Sequence, residues 1–196
     1  YWGVRINWTT FTNNHINMSN NTVKTLLQQT YRFEPPQYTD DGAPIKTDPN
    51  RTPFLGQGYY FWDNNIERAR DWGRNRCRGH YHILQGYHEL SGSFFLDLAG
   101  SREDIIVFFT IYNKICEKRG KKLKVCEFFT IALEMETQTP GAFPFRIIRA
   151  LEIKSKDKTI DYRADTTSSF LLNPTFIVCF YDKNDIKMQD LQIIHD

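Results

Sequence analysis

The chain has 196 residues, 40% of them hydrophobic and 15% aromatic, with a formal net charge of +2. That much apolar side chain suits one compact domain and excludes global disorder, and the near-neutral charge argues against a general binder of nucleic-acid backbones. No apolar run approaches the roughly 20 residues of a membrane-spanning helix. The four cysteines, Cys77, Cys116, Cys126 and Cys179, show no C-x-x-C spacing and read as free thiols, not as a zinc site or disulfide framework. The opening Tyr1-Trp2-Gly3-Val4-Arg5 lacks the basic-then-apolar layout of a secretion signal. The expectation is a cytoplasmic protein, with a secreted or injected effector as the alternative.

From Asn20 the spacing of Val23, Leu26 and Leu27 predicts a helix that ends before Glu34-Pro35-Pro36, because proline cannot continue it. Residues 37–53 carry Asp40-Asp41-Gly42, Pro44, Asp48-Pro49 and Pro53 and predict a long loop. Phe54 to Trp62 predicts a strand interrupted by Gly56 and Gly58. Asp63-Asn64-Asn65 then caps a helix running to about Gly73. Residues 80–98 read as strands around turns at Gly86 and Gly92. Ser101-Arg102-Glu103-Asp104 starts an amphipathic helix whose Ile105, Ile106, Phe108, Phe109, Tyr112, Ile115 and Cys116 are expected to face inward. A basic loop around Gly120, a helix near 123–136 and a loop at 137–144 follow. Strands are expected at about 145–153, 169–171, 175–181 and 191–195. This order predicts one α+β domain over 1–196, with short strands, flanking helices and a helical insertion at about 94–140.

The chemistry-bearing pattern lies at Leu55-Gly56-Gln57-Gly58-Tyr59-Tyr60-Phe61-Trp62 and Arg68-Ala69-Arg70-Asp71-Trp72. Glycine lets a backbone approach a ligand closely, because no Cβ intervenes. Two aromatic rings held by a strand and a helix make a slot for a flat, electron-poor heteroaromatic ring. The bland alternative is that the same aromatics are core packing, as such clusters usually are.

These segments, together with His15-Ile16-Asn17-Met18, Leu26-Leu27-Gln28-Gln29, Arg32-Phe33-Glu34-Pro35-Pro36 and the late Leu171-Leu172-Asn173-Pro174-Thr175-Phe176-Ile177-Val178-Cys179, resemble the NAD-binding core of the diphtheria-toxin-like and poly(ADP-ribose)-polymerase-like ADP-ribosyltransferases. They also resemble uncharacterised bacterial relatives whose central strand reads G-x-G-x-Y-F-W. The resemblance spans roughly residues 15–73 and 165–195. It implies a split mixed or antiparallel sheet and NAD as substrate. Tyr60 and Trp72 would sandwich nicotinamide, Gly58 would permit close approach, His15 would hold a ribose, and the Ile16 backbone would grip the nicotinamide amide. The family's late-strand glutamate falls at Thr175, or at Ile177 on the alignment to glutamine-bearing relatives. Thr175 can exchange a hydrogen bond with a hydroxyl but cannot act as a base.

The implied activity is therefore mono-ADP-ribosylation of an unknown protein or nucleic-acid acceptor with release of nicotinamide, in the manner of a bacterial toxin or defence factor. A catalytically silent binding module and an NAD glycohydrolase are the alternatives. If an acid does serve the site, Glu34, Asp182 and Glu152 are the candidates. No metal is expected. His80, His82 and His88 have no carboxylate or cysteine at ligand spacing apart from Cys77 and Glu89 and read as surface histidines, the basic run Lys118 to Lys124 reads as a solvated junction, and Phe145 to Arg149 reads as a buried strand with two outward arginines.

Overall fold

The computed structural model describes residues 22–32, 43–152, 159–161 and 169–195. In chain order they form β1 (Val23–Arg32), β2 (Tyr59–Asp63), α1 (Ile66–Arg76), β3 (Tyr81–Leu90), β4 (Phe95–Asp97), α2 (Arg102–Arg119) and α3 (Val125–Gln138). Then come β5 (Ile147–Glu152), β6 (Thr159–Asp161), β7 (Ser169–Leu171), β8 (Thr175–Phe180) and β9 (Gln189–His195). The fold is α+β. One mixed sheet holds seven strands in the order β4-β5-β8-β2-β1-β3-β9, with only the β4–β5 pair parallel, and β6 and β7 pair separately.

The helix expected from Asn20 is instead strand β1 over its described part. Val23, Leu26 and Leu27 fit a helical face, but Val23, Thr25, Thr30 and Tyr31 prefer an extended backbone. The strand also lies inside the sheet, between β2 and β3, and buries the polar Thr25, Gln28 and Gln29 along with Leu27. Burial of polar groups on both faces erased the two-residue alternation that would have marked a strand.

Elements with explicit end signals formed where they were expected. The Asn65 side chain accepts from the Arg68 amide and caps α1. The Ser101 side chain accepts from the Asp104 amide, and Gly120, at φ 64°, closes α2 in the left-handed conformation. Two details differ. Residues 54–58 are a turn that leads into β2, and Gly86 lies inside β3, at a bulge opposite β9.

Strand alternation sorts the sheet into two faces. Tyr60, Trp62, Thr175, Ile177, Cys179, Ile148 and Ala150 share the face that carries the helices. There α2 and α3 build an aromatic core around Phe128, Phe129 and Phe143, while α1 packs on Tyr81 and Ile83. Within α2, Ile111 and Ile115 point inward. Ile106 and Phe109 were expected there too, but both are 54% exposed, because α3 covers only the adjoining stripe. The opposite face holds Leu27, Phe61, Phe95, Val178 and Phe180, with Ile186 and Met188 against them.

Candidate functional site

Register fixes where the expected site residues stand. On β2, Tyr60 is paired with Cys179 and Trp62 with Ile177. The same ladder brings Thr30 level with Tyr60, and the Thr30 hydroxyl donates to the Ala69 carbonyl of α1, one turn before Trp72. Tyr60 and Trp72 therefore serve the same face, with Trp72 one helical turn beyond the level of Tyr60. They do so from separate apolar clusters: Tyr60 leans into the α2–α3 core, and Trp72 joins Trp62, Ile66, Ala69 and Tyr81 under α1.

The Tyr60 ring is anchored at its tip. Its hydroxyl donates to the Gly56 carbonyl at 2.8 Å and accepts from the Leu55 amide at 2.9 Å, while the Tyr181 hydroxyl donates to the Leu55 carbonyl at 2.7 Å. Two phenols thus clamp the turn before β2. Burial, and after it the neighbouring Cys179, pushes the Tyr60 phenol well above its ordinary range, and burial does the same to Tyr181. Gly58 earns its place by the same packing. A Cβ there would meet Cys179 Sγ at 2.5 Å and the Phe180 carbonyl oxygen at 2.6 Å, so the space the glycine frees is filled by β8.

A second constellation lies further along the same face. Thr175, fully buried at the start of β8, is the cross-strand partner of Glu152 at the end of β5, so the two side chains leave the sheet side by side. Arg68 reaches down from the first turn of α1, and its Nε donates to Thr175 Oγ1 at 3.0 Å. A hydroxyl, a carboxylate and a guanidinium from three elements converge there. Because Tyr60 pairs with Cys179, this group lies four residues further along β8, roughly 13 Å from Tyr60. Ile177 stands between them, level with Trp62. Arg68 and Trp72, four residues apart on one helix, lie on the same side of α1.

Of the acids named as alternatives to Thr175, only Glu152 stands beside it among the described residues. Asp182 accepts from the amide and side chain of Asn184 and caps a short turn. His15, Ile16 and Glu34 lie outside the described residues. Sequence reasoning gave Arg68 no role. Its signal was the Asn65 cap, which fixes Arg68 in the first turn of α1 and so at the end of the sheet where β8 begins.

The opposite face carries a sealed polar cluster. Arg149 Nε donates to Asp63 Oδ2 at 2.6 Å, and its Nη1 contacts both Asp97 oxygens at 3.3 Å, with side-chain exposures of 14%, 5% and 3%. Thr25 donates to the other Asp63 oxygen, and the guanidinium lies 4.7 Å from the Phe176 ring centre. Arg149, read from the sequence as outward, is thus an inward structural cation, and only Arg146 is exposed. The histidines do not converge: His80 is exposed on a turn, His82 lies against Tyr31, and His88 is buried on Phe180 with Nε2 3.1 Å from the Asp185 carbonyl oxygen. Among the described residues no group of three or more His, Cys, Asp or Glu side chains is placed to hold a metal, and no helix is long and apolar enough to cross a membrane. All four cysteines are free.

Comparison with protein-family models, with curated proteins and with solved structures finds no match.

Proposed function

We propose that the chain is an ADP-ribosyltransferase-type domain acting as an NAD-dependent mono-ADP-ribosyltransferase, with the Arg68–Thr175–Glu152 group as its acid-bearing end. The observation that carries the reading is the pairing of Glu152 with Thr175 across β5 and β8, under an arginine from the helix that bears Trp72. The late strand lacks the expected carboxylate, and the adjacent strand supplies one on the same face.

In this reading the bond between the ribose anomeric carbon and the nicotinamide nitrogen breaks, and its electron pair leaves with neutral nicotinamide. The acceptor's nucleophile bonds to that carbon and gives up its proton. Glu152 stabilises the developing oxocarbenium charge and takes the proton, and Thr175 and Arg68 orient the ribose hydroxyls. Trp72, one turn along α1 from Arg68, flanks the nicotinamide, and Tyr60 closes the far end of the same face.

The test is nicotinamide release and label transfer from NAD. Glu152→Gln should lower the rate by about 10²–10⁴ while NAD binding persists. A folded Glu152→Gln variant with unaltered turnover removes Glu152 from the mechanism.

A second reading has its own observation. The Tyr60 phenol is engaged by Gly56 and Leu55, and the space beside Gly58 is occupied by Cys179, as in a purely structural turn. On that ground the alternative is a catalytically silent module of the same fold, for which NAD turnover is absent in the unaltered protein. An NAD glycohydrolase would release nicotinamide with no labelled acceptor.

A further inference from the structure

We propose that the end of the sheet where α1 and β1 finish and β3 begins binds single-stranded nucleic acid through its phosphates. Residues 74–82 carry three arginines, Arg74, Arg76 and Arg78, and no carboxylate. That local excess of three exceeds the +2 of the whole chain, so the remainder is slightly acidic and the positive field is confined to one end.

Helix stability does not account for the arrangement. Basic residues in a last turn complement the helix dipole, and Arg74 and Arg76 already fill that role in α1. Arg78 and His80 lie past the helix on an exposed turn and add nothing to it. Arg32 joins them from β1, because its register partner is Tyr81, the first residue of β3. Arg76, Arg78, His80 and Arg32 are all exposed, and Arg76 and Arg78 enter no ion pair among the described residues.

The chemistry favours phosphodiester over carboxylate. The cations are arginines, whose flat forks match phosphate oxygens two at a time. Rings flank them: Trp72 is half-buried on α1, and Tyr31 and His82 face each other across β1 and β3 at the same end on the other face of the sheet, with centroids 5.8 Å apart. A short positive track with rings at its two sides suits a strand whose bases are free to stack. The inference shares Trp72 with the NAD reading, and its arginines, Arg76, Arg78 and Arg32, have no part in that reading.

The experiment is fluorescence anisotropy of a short labelled oligothymidine and its RNA counterpart at low salt, with the full chain. Binding should weaken with salt along a log–log slope of about 2, as expected for roughly three phosphates on a single strand. Arg76→Glu combined with Arg78→Asn should reduce affinity at least tenfold while the chain still melts cooperatively, a little below the unaltered protein. Asparagine suits position 78 because the backbone there has φ 55°. Lys118→Glu with Lys122→Asn, which removes the same charge from the α2–α3 junction, should bind as the unaltered chain does. Absence of binding, equal loss in both double variants, or preference for polyglutamate over the oligonucleotides overturns the proposal, the last in favour of an acidic protein partner.

Discussion

Two arginines reach the sheet from opposite sides, and they differ in what meets them. Arg149 on the opposite face lies between two nearly inaccessible carboxylates and above Phe176. Arg68 on the helical face descends from a helix onto a neutral hydroxyl, with a half-buried carboxylate on the neighbouring strand. The first arrangement joins β2, β4 and β5 into one unit, and its polar groups find their partners within it. The second joins α1 to β8 through a hydrogen bond onto a buried hydroxyl. Burial with saturation marks structure, whereas the convergence of unlike groups at the end of the sheet is what the proposed chemistry rests on.

The contrast breaks first at Arg149. Arg149→Met leaves Asp63 and Asp97 buried without their cation, which should cost about 3–5 kcal/mol in denaturant unfolding. Loss of Arg68 should cost far less and register in NAD handling instead. Gly58→Ala comes next. Its Cβ would press on Cys179 and the Phe180 carbonyl, and the expected loss is about 1–3 kcal/mol, measured by thermal melting. A variant as stable as the unaltered chain would mean that β2 and β8 are further apart than the structure has them.

Tyr60→Phe sharpens the comparison on the helical face itself. It keeps the ring and deletes the hydroxyl, leaving the buried Leu55 amide without that partner, at about 1–3 kcal/mol. If the ring is what faces nicotinamide, NAD affinity should survive this loss of stability. The smallest expected effect is alkaline. The Tyr60 and Tyr181 phenols are raised by burial, so their contribution is intact below the ordinary tyrosine value of about 10. Above that, the unfolded chain ionises first and stability falls. Two phenols should therefore ionise only as the chain unfolds, and normal titration of every tyrosine in the folded protein would contradict the clamp.

Legibility in the sequence followed the strength of local signals. Helix α2 could be read from Ser101 and Gly120, and α1 from Asn65, because caps act within a few residues. Strand β1 could not, since Gln28 and Gln29 are buried by partners that fold back from elsewhere: Gln28 Oε1 accepts from the Asn65 amide, and Gln29 bonds Ile45 and the Tyr60 carbonyl. The inward turn of Arg149 was equally hidden, because its carboxylates come from β2 and β4. For the candidate site, Tyr60, Trp72 and Thr175 could be picked out one by one, and only the sheet register and the packing of α1 show that they serve one face. Glu152 was only one of three candidate acids until the β5–β8 register set it opposite Thr175.

Calorimetric titration with NAD, of the unaltered chain and of Trp72→Ala, tests the central claim most directly. The account predicts saturable micromolar binding that Trp72→Ala abolishes while the fold survives. No binding by the folded, unaltered chain, or equal binding by both proteins, would contradict it.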